Sequence, residues 1–112
     1  MPRLRRAWVL ALLPGLAACD LLARSPGEKI WRSRCAECHG LDASGNTPRY
    51  LGREWADLTD DSWRRYGGDD AALESVIREG IFGEMPAGAE LSASEMRALL
   101  DHLHKLRWEA AK

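Results

Sequence analysis

Residues 32–46 read RSRCAECHGLDASGN, which puts thiols at Cys35 and Cys38 and an imidazole at His39 directly after the second. Three chemistries compete for that spacing, and the choice among them decides the fold. A thioredoxin-like redox pair needs its C-x-x-C at a helix N-terminus beside a βαβ pattern, and the sequence shows no strand alternation. A structural zinc site needs a closed set of four ligands. Here Cys38 and His39 are adjacent, and the other histidines, His102 and His104, stand two apart instead of the usual about three to five. The third chemistry is covalent attachment of haem. Each thiol adds across a vinyl group of the porphyrin, and the next residue reaches the iron from the same side. One turn of chain between the thiols matches the separation of the vinyls, and His39 then falls beneath the iron.

The start of the chain strengthens that choice. Arg3, Arg5 and Arg6 precede the apolar run AWVLALLPGLAA, which ends in small residues before Cys19. This is the pattern of a secretory signal peptide. The run holds Pro14 and Gly15 and is well short of the about 20 residues that a membrane-spanning helix requires. LAAC at Leu16 to Cys19 resembles the lipobox of bacterial lipoproteins, in which the cysteine is acylated and becomes the first residue. The expected organisation is a signal peptide at 1–18, a lipid-anchored tether at 19–26 and one folded domain at 27–112. Lipidation of Cys19 removes the odd thiol from an oxidising compartment and leaves Cys35 and Cys38 as the pair. The 112-residue chain carries 16 basic and 17 acidic residues, and loss of three arginines makes the remainder more acidic. A nucleic-acid partner is not expected. A domain this small builds only a modest core, so a bound haem would supply much of it.

Periodicity predicts three helices. Gly27 and Trp31 lie eight and four residues before Cys35, on one helical face. Ser92 and Glu95 form a capping box ahead of Met96, Leu99, Leu100, Leu103 and Leu106 at helical spacing. Between them, Asp69 or Asp70 can cap a helix with Leu73, Val76 and Ile77 on its inner face, ending at Gly80. The stretch 40–59, rich in Gly, Pro and polar residues, has a reason to be long if it wraps a haem edge. There is no internal repeat and no second C-x-x-C-H.

From Gly27 to Leu106 this arrangement resembles the small single-haem class I c-type cytochromes. The resemblance implies an all-α cytochrome c fold. The N- and C-terminal helices cross at a glycine and aromatic pair, and a third helix and loops wrap one covalently bound haem c. Candidates for the sixth iron ligand are Met85, Met96, His102 and His104. Met96 sits at a core position, His102 where the family places a packing residue at the crossing, and His104 on the solvated face. Met85 lies in GIFGEMPAGAELS, a glycine-rich loop in which Pro86 limits flexibility. It resembles the family's distal segment, in which methionine followed by proline supplies sulfur. The resemblance also makes Pro48 the candidate carbonyl that accepts the other N–H of His39. Trp63 and Tyr66 are candidate haem contacts, and Arg64 or Arg65 could neutralise a propionate.

LTDDSWRRYGG and IREGIFGEMPAGAELSASEM look like the c-haem domains of electron-entry subunits in cbb-type haem-copper oxidases. The single haem motif and the lipobox depart from those subunits, so subunit identity does not follow. The expected function is one-electron relay between membrane respiratory complexes by a monomeric carrier on the periplasmic face of the inner membrane, with no enzyme activity of its own. Asp20 resembles an inner-membrane retention signal, and the tether from Asp20 to Pro26 reaches at most roughly 25 Å. Two alternatives stand beside this: a fixed electron-transfer subunit of an oxidoreductase complex, and a haem-based gas sensor or peroxidase with a labile sixth site.

Overall fold

The computed structural model describes residues 23–60 and 69–112. The expected signal peptide at 1–18, Cys19 and Asp20 lie outside them, as do Trp63, Arg64, Arg65 and Tyr66. The chain forms α1 (Pro26–Arg34), the single turn α2 (Ala36–His39), a 3-10 turn (Glu54–Ala56), α3 (Asp70–Glu79) and α4 (Ala93–Ala110). Among the described residues there is no strand, only an isolated bridge between Ile81 and Met85. The all-α expectation holds, with α2 and the 3-10 turn added to the three predicted helices. No helix among the described residues is long and apolar enough to cross a membrane.

Local chemistry sets the helix ends. Ser25 is extended and its hydroxyl accepts the Glu28 N–H at 3.1 Å, while Pro26 occupies the first helical position, where no N–H is needed. The α4 capping box closes in both directions: Ser92 Oγ accepts the Glu95 N–H at 3.1 Å and the Glu95 carboxylate accepts the Ser92 N–H at 2.9 Å. Asp69, rather than Asp70, caps α3 by accepting the Ala72 N–H at 2.8 Å. Asp70 instead meets His104 Nε2 at 2.7 Å, an exposed link between α3 and α4.

The apolar stripe of α4 is covered by α1. A Cβ on Gly27 would overlap the Ala98 carbonyl, so only glycine lets the two backbones come this close. Four residues on, Trp31 is 2% exposed and packs in one cluster with Met96, Leu99, Leu100 and Leu103. Its ring centroid lies 6.2 Å from that of His102, which is half-buried at the crossing. Met96 and His102 are therefore packing residues, as expected. Leu73 and Ile77 of α3 and Leu106 of α4 lie against this core but stay partly exposed. No residue of α3 is fully buried.

The candidate haem centre

The C-x-x-C-H segment straddles a break between two helices. Cys35 closes α1 with its N–H on the Trp31 carbonyl at 2.9 Å and then opens α2, whose last residue is His39. Trp31 fixes the far end as well: its indole N–H donates to the Gly40 carbonyl at 3.0 Å in a buried bond. The motif is thus held at both ends by one tryptophan of the α1–α4 crossing.

Both cysteines are unpaired and half-buried. Burial pushes the Cys35 thiol up to about 11, with Arg34 opposing and Cys38 adding to the shift. A reactive redox cysteine is instead driven below its ordinary value, because the thiolate is the attacking species. Cys35 therefore lacks the electrostatic character of a disulfide oxidoreductase.

His39 Nδ1 lies 2.8 Å from the Ala56 carbonyl oxygen. A carbonyl can only accept, so Nδ1 carries the proton and Nε2 keeps its lone pair, the arrangement that a metal-bound imidazole adopts. Burial lowers the His39 pKa, with the Ala56 bond partly opposing, which favours the neutral, ligating form.

The acceptor is Ala56, not Pro48, and the loop explains why. The Tyr50 and Leu51 N–H groups both close on the Thr47 carbonyl, at 3.1 and 3.0 Å, which leaves Pro48 exposed on the outside of that turn. The chain then doubles back. The Gly45 N–H bonds the His39 carbonyl at 2.7 Å, the Leu58 N–H bonds the Ala43 carbonyl at 2.8 Å, and Ala56 is carried beneath the imidazole. Pro48 lines a cleft with Ala36, Gly40, Leu41 and Thr47.

Two further side chains join the site. Trp55 stands edge-on to His39 with centroids 6.4 Å apart, and Tyr50 packs edge-on to Trp55 at 5.2 Å. A hydrogen bond with the Cys38 side chain is the main cause that raises the Tyr50 pKa. The sequence signal for both was available: they are aromatics in an otherwise polar loop.

Met85 is positioned by its own turn. The Ile81 and Met85 backbones exchange two hydrogen bonds, each 2.8 Å, and the Gly88 N–H ties the loop to the Ile77 carbonyl at 2.8 Å. Gly80, at φ +69°, makes the sharp exit from α3, and a Cβ there would overlap the Met85 carbonyl. Met85 is half-buried. An imidazole with a free Nε2, two unpaired thiols one helical turn apart and a thioether on a restrained loop are donors of the kinds that a haem c with His/Met ligation would use. The residues present fit that group.

A helical frame crossed at Gly27 and Trp31 around a C-x-x-C-H segment defines a c-type cytochrome domain. Residues 23–103 match the family described as cytochrome c oxidase, cbb3-type, subunit III, and the chain belongs to it. Among its relatives, subunit FixP of the cbb3-type cytochrome c oxidase of Azorhizobium caulinodans is 40% identical over 84% of this chain and 31% of its own length. Subunit CcoP of Rhodobacter capsulatus is 38% identical over 78% of this chain and 30% of its own length. FixP of Bradyrhizobium diazoefficiens is 40% identical over 84% of this chain and 31% of its own. The chain therefore spans about a third of the length of these relatives. No solved structure matches it.

Proposed function

We propose that this chain is an electron-transfer subunit of a cbb-type oxidase complex, carrying one covalently bound haem c on the periplasmic face of the membrane. Cys35 and Cys38 form the two thioethers, His39 Nε2 and the Met85 sulfur hold the iron, and acylated Cys19 anchors the chain. Pro48 and Trp63 contribute haem contacts, Pro48 from the cleft it lines with Ala36 and Gly40. The carrying observation is the His39 imidazole, whose Nδ1 proton is committed to the Ala56 carbonyl. When bound, the haem supplies reversible one-electron chemistry. The protein orients the imidazole, keeps it neutral, and surrounds it with Trp31 and Trp55. Relatives named as oxidase subunits support a fixed subunit over the free carrier expected from sequence alone.

The test is purification of the full-length protein from membranes in mild detergent. Oxidase activity should co-purify with it, and haem should stay on the polypeptide through acid-acetone extraction. Haem that leaves with the solvent overturns covalent attachment. A haem-loaded chain that separates completely from oxidase overturns the subunit reading and restores the free carrier.

A further inference from the structure

The turn that presents Met85 points a different residue outward. Phe82, at its tip, is 104% exposed, against 70% or less for Leu41, Leu51, Trp55 and Trp108. A lone exposed apolar residue is ordinary on a protein surface. Its neighbours make this one distinctive. Glu79 and Glu84 are exposed and line the same hollow as Phe82 and Met85. Among the described residues neither glutamate has an ion-pair partner. Nearby charges are engaged elsewhere: Arg78 bonds Glu74 at 3.0 Å and the Leu91 carbonyl at 2.8 Å, and Glu90 pairs with Arg34. From Glu79 to Glu90 the chain has no basic residue. The paired backbone bonds between Ile81 and Met85 hold the tip in shape, so seating it costs little ordering.

We propose that Phe82, flanked by Glu79 and Glu84, is a docking surface for a redox protein that presents Lys and Arg side chains around an apolar recess. This builds on the electron-transfer reading above. An aromatic anchor inside a charged rim is the anatomy of a transient interface, with the charges setting encounter rate and orientation. Charge separates this face from the other exposed aromatics. Trp55 lies on a loop where Arg49 and Arg53 are balanced by Glu54 and Asp57, and Trp108 on a helix end where Lys105, Arg107 and Lys112 outnumber Glu109, whereas the Phe82 face carries acidic residues alone. A basic partner is thus directed to the Met85 face, and once seated on Phe82 it lies beside the residue assigned to the iron.

The experiment uses the full-length, haem-loaded protein in detergent, reduced and mixed by stopped flow with a lysine-rich mammalian cytochrome c as basic probe and with ferricyanide as anionic control. Phe82→Ala and Glu84→Lys should each slow the reaction with the basic probe by about tenfold, and the lysine variant should flatten its salt dependence. Ferricyanide should react with Phe82→Ala at the wild-type rate and with Glu84→Lys at least as fast. Glu79→Lys, six residues from Met85, repeats the charge test where Glu84→Lys disturbs the methionine band. Glu109→Lys, at the far end of α4, should change nothing. Haem-loaded Phe82 and Glu79 variants with wild-type rates and salt dependence overturn the docking surface and leave the electron-transfer reading standing. A chain that lacks covalent haem overturns both.

Discussion

The two loops that carry the candidate iron ligands are held by different means. On the His39 side the chain is tied into the core: Trp31 grips Gly40, Gly45 bonds His39, Leu58 bonds Ala43, and Ala43 and Ala56 are fully buried. On the Met85 side the turn bonds mainly to itself and to the end of α3, a helix with no fully buried residue. The imidazole is therefore positioned by the whole α1–α4 crossing, and the thioether by a local turn. Damage to the first should spread through the fold, whereas damage to the second should stay local.

Trp31→Ala tests the spreading half of that contrast and should have the largest effect. It removes a buried aromatic from the crossing, a loss of about 3–5 kcal/mol, frees the Gly40 carbonyl and takes away the ring that packs against His39. Denaturant unfolding and the yield of haem-loaded protein measure it. Trp31→Phe sharpens the result, since it keeps most of the bulk and orphans only the Gly40 carbonyl, at about 1–3 kcal/mol. Equal stabilities for wild type and Trp31→Ala would break the comparison.

Met85→Ala tests the local half. Haem should stay attached and the unfolding midpoint should move little, while the sulfur-to-iron charge-transfer band disappears and the ferrous protein binds carbon monoxide. Met96→Leu should do neither, because Met96 is 1% exposed in the core.

Smaller effects return to the crossing. Burial lowers the His102 pKa, so the folded protein favours the neutral ring. Below the unfolded value of about 6.5 the denatured chain takes up the proton first, and stability falls as pH drops from there through the lower native value. His102→Gln should flatten that segment of a stability-against-pH curve, with Glu28 and Glu109 opposing the shift and Lys105 and Arg32 adding to it. The smallest effect belongs to Ala43, a fully buried residue at φ +66°. Ala43→Gly relieves left-handed strain but gives up a packed methyl group, so thermal unfolding should shift by less than about 1 kcal/mol in either direction.

The elements that sequence revealed are those specified by side chains over short spans. The C-x-x-C-H spacing, the Ser92 and Glu95 box and the stripe from Met96 to Leu103 all announce themselves, and the resemblance to class I cytochromes assigned the crossing to the Gly27 and Trp31 pair. What sequence hid depended on backbone or on long separation. Pro48 was the expected acceptor, yet the carbonyl beneath His39 comes from Ala56, 17 residues on, after a turn whose path no residue type spells out. The Arg34 and Glu90 ion pair joins segments far apart in the chain, and one of many arginines gives no hint of which carboxylate it will meet.

The Ala56 bond has a consequence for how such a domain drifts over generations. Every amino acid brings a carbonyl, so no substitution at position 56 deletes the acceptor outright. Only a change that reroutes the backbone can do so, such as an insertion between Thr47 and Glu54. The acceptor itself thus survives any change of side-chain chemistry at position 56 that leaves the backbone in place, and it is vulnerable to changes in loop length. Side-chain constraint falls instead on its neighbours, above all Gly45, at φ +76°, where a Cβ would overlap Ala56.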